Sequence, residues 1–201
     1  MKIVAISDTH WHYPEDLPDG DILVFAGDAS GIGTYDELTE FDNWMGTYRD
    51  KYRRILFTPG NHDYGFELGF KLKNAEMYIN ESVVVEGIKF WFSPYSIKFG
   101  TWGFMKPEKE LDKMWYNIPE FTDVVVTHGP PKGELDLNVA SYHIGSESLT
   151  RRIKEIKPRY HIFGHAHEAY GIIQEGVTTF CNVSLLNEYY MLVNKPTVLE
   201  I

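Results

Sequence analysis

Five short apolar runs in this chain each lead into a polar cluster rich in metal-ligating residue types. Lys2–Ser7 leads into Asp8-Thr9-His10, and Ile22–Ala26 into Gly27-Asp28. Ile55–Thr58 is followed by Gly60-Asn61-His62-Asp63, Asp123–Thr127 by His128-Gly129, and Tyr160–Phe163 by Gly164-His165-Ala166-His167. The runs have the length and residue types of β-strands. Functional groups of open α/β sheets gather where strands reach their carboxyl ends. One such cluster is an ordinary polar turn. Five of them, holding five of the eight histidines, predict strand ends that deliver ligands to a common site.

The intervening segments supply helices and hairpins. Thr34–Arg54 carries Tyr35, Leu38, Phe41, Met45, Tyr48 and Tyr52 at helical spacing, and Thr34 with Glu37 fits a capping box. Pro107–Tyr116 and Ser146–Lys157 are further predicted helices, the second closed by Pro158. Glu86-Gly87 and Glu175-Gly176 mark hairpin turns, and Thr197–Ile201 is a last strand. With 201 residues, no internal repeat and no Gly/Ser linker, the expectation is one α/β domain over residues 1–201 with mixed sheets.

Composition removes several classes of function. The formal charge is −10, and residues 1–50 hold eleven Asp/Glu against two Lys/Arg. No long nucleic acid is expected as a partner, because nothing here neutralises a phosphate backbone. No apolar run is long enough to span a bilayer. The lone cysteine, Cys181, excludes a disulfide within the chain and fits a reducing compartment, so the expected location is cytoplasmic. An acidic protein attracts an anionic ligand only if strong positive charge is concentrated in its site.

The polar clusters provide a place for such charge. Asp8, His10, Asp28, Asn61, His128, His165 and His167 offer two carboxylates, one amide oxygen and four imidazoles. A single tetrahedral ion takes four protein ligands, so seven suit two ions with a shared ligand. Residues i and i+2 of an extended segment point the same way, which lets Asp8 with His10, and His165 with His167, converge. The mixed N/O set suits Mn²⁺, Fe²⁺ or Zn²⁺ and not Ca²⁺, and Mn²⁺ is the first expectation.

Asp8-x-His10, Gly27-Asp28, Gly60-Asn61-His62-Asp63, His128 and Gly164-His165-x-His167 resemble, in order, the motifs of calcineurin-like metallophosphoesterases. The stretches Thr127–Pro131 and Ile162–Gly171 further resemble the small metallophosphoesterase-domain-containing branch, which includes cyclic-nucleotide phosphodiesterases. The resemblance implies a four-layer α-β-β-α sandwich with two mixed β-sheets and a dinuclear metal site at strand ends. It implies that Asp8, His10, Asp28 and His167 hold one ion and that Asp28, Asn61, His128 and His165 hold the other, with Asp28 bridging. Two ions about 3.5–4 Å apart clamp phosphoryl oxygens and ionise a shared water. The implied reaction is attack of that metal-bridging hydroxide on phosphorus. His62 then matches the family's catalytic histidine, protonating the leaving group, and Asp63 is expected to orient it.

The leading expectation is a phosphodiesterase acting on a small nucleotide-type diester, such as a cyclic nucleotide. A phosphomonoesterase or protein phosphatase is the first rival. Protein phosphatases of this superfamily carry Arg shortly after the Gly-Asp block and just before Gly-Asn-His. Here those places hold Ala29-Ser30-Gly31 and Thr58-Pro59. A non-catalytic scaffold is the second rival, but no residue of the motif set is missing. Trp11, Tyr64, Lys132 and His143 are candidate substrate contacts; the last two lie in Gly129–Gly145, a segment too long for a simple connection. His161, within a predicted strand, reads as a core histidine, and His12 as a solvated one.

Overall fold

The computed structural model describes residues 1–201. In chain order the elements are β1 (Lys2–Ile6), β2 (Ile22–Ala26), α1 (Tyr35–Gly46), β3 (Arg54–Thr58), β4 (Glu76–Met77), β5 (Glu81–Val85), β6 (Ile88–Ser93), β7 (Ser96–Ile97), β8 (Met105–Lys106), α2 (Glu108–Trp115), β9 (Val124–Thr127), α3 (Glu147–Ile156), β10 (Tyr160–Phe163), β11 (Gly171–Glu175), β12 (Thr178–Asn182) and β13 (Thr197–Glu200). One sheet has the order β13-β1-β2-β3-β4, parallel except for β13. The other has the order β11-β12-β10-β9-β6-β5, with a parallel centre and an antiparallel strand at each edge. Strands β7 and β8 form a separate parallel pair.

The central strands are apolar at most positions, β2 throughout, because both faces are covered, as parallel sheets require. Alternation along β1 illustrates the consequence. Val4 and Ile6 pack with Phe25, Phe57 and the α1 residues Leu38, Phe41 and Met45. Ile3 and Ala5 face the opposite way and pack with Phe90, Phe92, Val126 and Ile162 of the second sheet. The second sheet turns Trp91, Val125 and Phe163 outward onto Leu111 and Trp115 of α2 and Leu149 and Ile153 of α3. Three apolar cores therefore separate four layers, α1, sheet, sheet, and α2 with α3. This is the α-β-β-α sandwich expected from the family resemblance.

The capping box at Thr34 is present, with Glu37 N–H donating to Thr34 Oγ1 at 3.3 Å and the Thr34 N–H donating to Glu37 Oε2 at 3.0 Å. The helix it opens is shorter than 34–54. It ends at Gly46, and the N–H groups of Thr47 and Tyr48 donate to carbonyls three residues back. These tighter turns still carry Tyr48 and Tyr52 into the first core, so the apolar spacing outlasts the α-helix. Tyr35, counted in that apolar stripe, is exposed. No helix is long and apolar enough to cross a membrane.

The two sheets meet at their carboxyl edges. Just past β1, Ser7 bridges in parallel fashion to Ser184, just past β12, and its N–H donates to Val183 O at 3.0 Å. The ends of β1, β2 and β3 in one sheet and of β9 and β10 in the other thereby face one region.

Candidate metal centre

The chain leaves these strands abruptly. Asp8, Asp28 and His165 adopt left-handed backbone, with φ of 53°, 57° and 70°, a conformation that costs L-residues free energy and clusters at functional sites. It turns each side chain across the sheet edge. Glycines make room for the resulting contacts. A Cβ on Gly60 would collide with the Asp28 carboxylate, and one on Gly164 with the Asp8 carboxylate and Ser7 Oγ. The Gly preceding Asn61 and the Gly preceding His165 are thus required by packing of ligand against backbone.

Two groups of donor atoms result. Around Asp8 Oδ1, His167 Nε2 lies at 3.4 Å and His10 Nε2 at 4.0 Å, and the two imidazole nitrogens are 3.1 Å apart. Around Asp28 Oδ2, His128 Nε2 lies at 3.2 Å. That nitrogen is 2.9 Å from Asn61 Oδ1 and 3.2 Å from His165 Nδ1. Asp28 Oδ2 is also 3.7 Å from His10 Nε2, so one carboxylate oxygen faces both groups.

The other atoms of Asp8, Asp28, His128 and His167 are occupied by the protein, whereas the buried Nδ1 of His10 has no partner. Asp8 Oδ2 accepts from Ser7 Oγ at 2.5 Å, Ser184 Oγ at 2.8 Å and the His165 N–H at 3.0 Å. Asp28 Oδ1 accepts from the His62 N–H at 2.8 Å. The Nδ1 atoms of His128 and His167 donate to the carbonyls of Ala26 (3.0 Å) and Asn187 (3.2 Å). Such outer contacts fix the tautomer and leave Nε2 as a lone pair. His10 Nε2 and His167 Nε2 at 3.1 Å, and His128 Nε2 and His165 Nδ1 at 3.2 Å, form with the Asp8 and Asp28 oxygens mixed N/O groups close enough to share an ion. The donor set therefore fits divalent cations.

The titration behaviour of the buried cluster has the same origin. Burial opposes ionisation of Asp8, but the hydrogen bond and charge of His167 hold its carboxyl well below the usual range. Asp28 is likewise lowered against burial, by His128. Burial works against protonation of His128, yet Asp28 overrides it and pushes the imidazole up to about 9. His10 and His165, with weaker compensation, are pushed down by burial to about 4 and about 3.

A profile of calcineurin-like phosphoesterases matches residues 1–169. The chain belongs to the calcineurin-like phosphoesterase family. It is 33% identical over its full length to human metallophosphoesterase domain-containing protein 1, covering 71% of that protein. It is 32% identical over its full length to UPF0046 protein K07C11.7 of Caenorhabditis elegans, covering 75%. Among solved structures, TT1561 of Thermus thermophilus aligns over 90% of this chain and 88% of its own, with a TM-score of 0.61 at 12% identity. GAP50 of Plasmodium aligns over 92% and 71%, with a TM-score of 0.54 at 13% identity. These two likenesses bear on the fold alone.

His62 lies at the edge of this phosphoesterase centre. Its ring meets the His10 ring edge-on at 4.5 Å, and its Nδ1 donates to Gly31 O at 2.6 Å. Asp63 does not orient it. The buried Asp63 carboxylate accepts from Ala29 N, Ser30 N, Ser30 Oγ and Gly60 N, tying the loop after β2 to the loop after β3. Adjacent side chains of this segment diverge, and the Gly31 carbonyl takes the orienting part. Burial and the nearby Asp28 charge push Asp63 up to about 6.

The candidate substrate contacts are dispersed. Trp11 is exposed and donates to Glu40 on α1 at 2.7 Å. Lys132 is exposed and pairs with Glu147 at 3.3 Å. Tyr64 is exposed in the turn after Asp63. His143 lines a cleft whose wall includes His165. His161 is buried and bonded to Thr127 Oγ1, as a core histidine should be.

Two contributors, Trp102 and Tyr190, carried no sequence signal, and a third, Ser184, lies in a segment that follows a predicted strand and resembles a late family segment without a role legible in the sequence. Trp102 stacks on His62 at 4.1 Å. Tyr190 sits edge-on to His10 and His167 at 4.9 and 5.2 Å. Ser184, in the late segment Asn182-Val183-Ser184, holds Asp8. Ser184→Ala should leave the fold intact, since a small polar side chain is trimmed at a position of unchanged backbone. It should weaken Mn²⁺ binding about tenfold, the low end of losses from removing an outer contact. Titration calorimetry checks this, and an unchanged affinity would make the contact incidental.

Proposed function

We propose that this chain is a phosphodiesterase acting on a small nucleotide-type diester, with two divalent ions, Mn²⁺ by preference, and one domain over residues 1–201. Asp8, His10, Asp28 and His167 would hold one ion, and Asp28, Asn61, His128 and His165 the other. When bound, the pair supplies Lewis acidity and an ionised water at neutral pH. Asp8 and Asp28 set the ions' net charge and keep their outward oxygens in fixed hydrogen bonds. His62, with Nδ1–H held by Gly31 O, would as the imidazolium give its Nε2 proton to the departing oxygen and be left neutral. A single cysteine, which excludes a disulfide within the chain, is in keeping with a cytoplasmic location.

The observation that carries the diester reading is where the arginines go. Enzymes that prefer dianionic monoesters commonly grip the extra charge with Arg, whose planar fork spans two phosphate oxygens. All six arginines of this chain are engaged elsewhere. Arg49 contacts Asn74, Arg53 pairs with Glu86, and Arg54 with Glu76. Arg151 pairs with Asp112, Arg152 with Glu155, and Arg159 bonds Glu200 O. A diester, carrying about one charge less than a monoester dianion, needs no such grip.

The test is kcat/KM for bis-p-nitrophenyl phosphate against p-nitrophenyl phosphate at one pH with Mn²⁺, repeated with cyclic nucleotides and their monophosphate products. The diester should be faster in both pairs. Faster monoester turnover in both would overturn the diesterase reading and favour the phosphatase rival. No turnover of any ester by Mn²⁺-loaded protein would favour the scaffold.

A further inference from the structure

Beside the metal centre runs a cleft of about 490 Å³, within the roughly 300–1,000 Å³ of small-molecule sites. Ile97, Phe99 and Ile144 give it an apolar surface, and His165 forms part of its wall. Phe99 is 51% exposed, and its ring lies 5.4 Å from that of His165. A half-exposed ring next to a ligand of the metal centre is a platform on which a flat group can stack.

The polar groups of the cleft are mostly spoken for. Asn138 Oδ1 accepts from Ala140 N and Tyr142 N, and Glu168 Oε1 accepts from Val139 N. His143 differs. Its Nδ1 donates to Asp136 Oδ1 at 2.6 Å, which leaves Nε2 as an acceptor. Asp136 is 1% exposed and also accepts from Gly133 N at 3.1 Å and Gly145 N at 3.0 Å. A buried carboxylate that the metal centre does not use thus fixes both the 129–145 segment and one imidazole on the cleft.

The position of His62 argues for which part of a diester would lie there. His62 flanks His10, in the Asp8 group of donors, whereas the cleft opens beside His165, in the Asp28 group. The leaving oxygen points to its proton donor and the attacking oxygen lies opposite it, so the retained arm leaves phosphorus to the side, free to turn from His62 into the cleft beside His165. We propose that this cleft seats the nucleobase of the retained arm, with Phe99 as its stacking surface and His143 Nε2 accepting from an N–H on the base edge. The proposal rests on the phosphodiesterase reading above.

Two esters with the same leaving group test it, thymidine 5′-(p-nitrophenyl phosphate) and methyl p-nitrophenyl phosphate. Wild-type protein should prefer the thymidine ester. Phe99→Ala should lower its kcat/KM about tenfold, chiefly through KM, the scale of one lost base–aromatic stack. The methyl ester should change less than about twofold, and Mn²⁺ content should stay at the wild-type level. His143→Ala should act in the same direction, and His143→Gln, which keeps an acceptor, should recover part of the loss. Calorimetry adds a readout free of turnover. Mn²⁺-loaded protein should bind thymidine 5′-monophosphate more tightly than inorganic phosphate, and Phe99→Ala should close that gap. Equal losses on both esters, or no gap in wild type, would overturn the proposal. If neither ester is cleaved yet the gap persists and depends on Phe99, the base site stands and the diesterase reading falls.

Discussion

Asp28→Asn is expected to abolish phosphohydrolase activity and to strip metal from both positions. The carboxylate has two different duties. Oδ1 accepts the His62 N–H at 2.8 Å, and Oδ2 faces His128 at 3.2 Å and His10 at 3.7 Å. Both duties need a lone pair. Asparagine has one acceptor end and one donor end. If its oxygen stays on the His62 N–H, its NH₂ points at the ions; if it flips, two N–H donors collide. Asp8→Asn meets a similar conflict at Ser184 and His165, but Asp8 faces only the His10 and His167 side. After reloading with Mn²⁺, wild-type protein should approach two ions per chain, Asp8→Asn about one, and Asp28→Asn fewer than one. Elemental analysis on samples with matching circular dichroism decides it. A wild-type stoichiometry held firmly at one, or equal and mild losses in both variants, would contradict a shared carboxylate.

Convergence of the strand ends was legible in the sequence because it depends on local rules. Strands of four or five residues end in polar clusters, and parallel pairing of β1 with β2 and of β9 with β10 aligns their carboxyl ends. What could not be read was contact between segments far apart in sequence. Ser184 reaches Asp8 across 176 residues, and nothing in Asn182-Val183-Ser184 says so. The same holds for Trp102 on His62, supplied by a loop whose strands β7 and β8 are two residues each and too short to show a period. Asp63 failed for a different reason. Neighbouring positions in a chain were expected to act as a pair, but its carboxylate turns to the loop after β2 and leaves His62 to the Gly31 carbonyl. The α1 boundary failed because turns closed by i to i+3 bonds preserved apolar spacing after α-helical geometry had stopped.

His62→Ala should lower turnover while leaving both ions in place. General acid–base groups contribute about 10²–10⁴-fold, and the loss should fall in that range for substrates with a poor leaving group. The backbone N–H that holds Asp28 survives the substitution, so the Asp28 carboxylate keeps its position. The imidazole itself is held by two contacts, Nδ1 to the Gly31 carbonyl at 2.6 Å and its face on Trp102 at 4.1 Å. Both leave Nε2 as the working nitrogen. A ligand role is the competing explanation, since His10, Asp28 and His62 also converge closely enough to hold an ion. The two roles separate by leaving group and by metal content. A proton donor matters little when p-nitrophenolate departs and much when an alkoxide departs from a cyclic nucleotide. His62→Ala should therefore impair bis-p-nitrophenyl phosphate hydrolysis far less than cyclic-nucleotide hydrolysis, at wild-type Mn²⁺ content. Trp102→Ala, which only loosens the ring, should show the same dependence on leaving group at a smaller amplitude. If His62→Ala loses metal together with activity, or both substrates suffer equally, His62 is a ligand and the proton must come from another group.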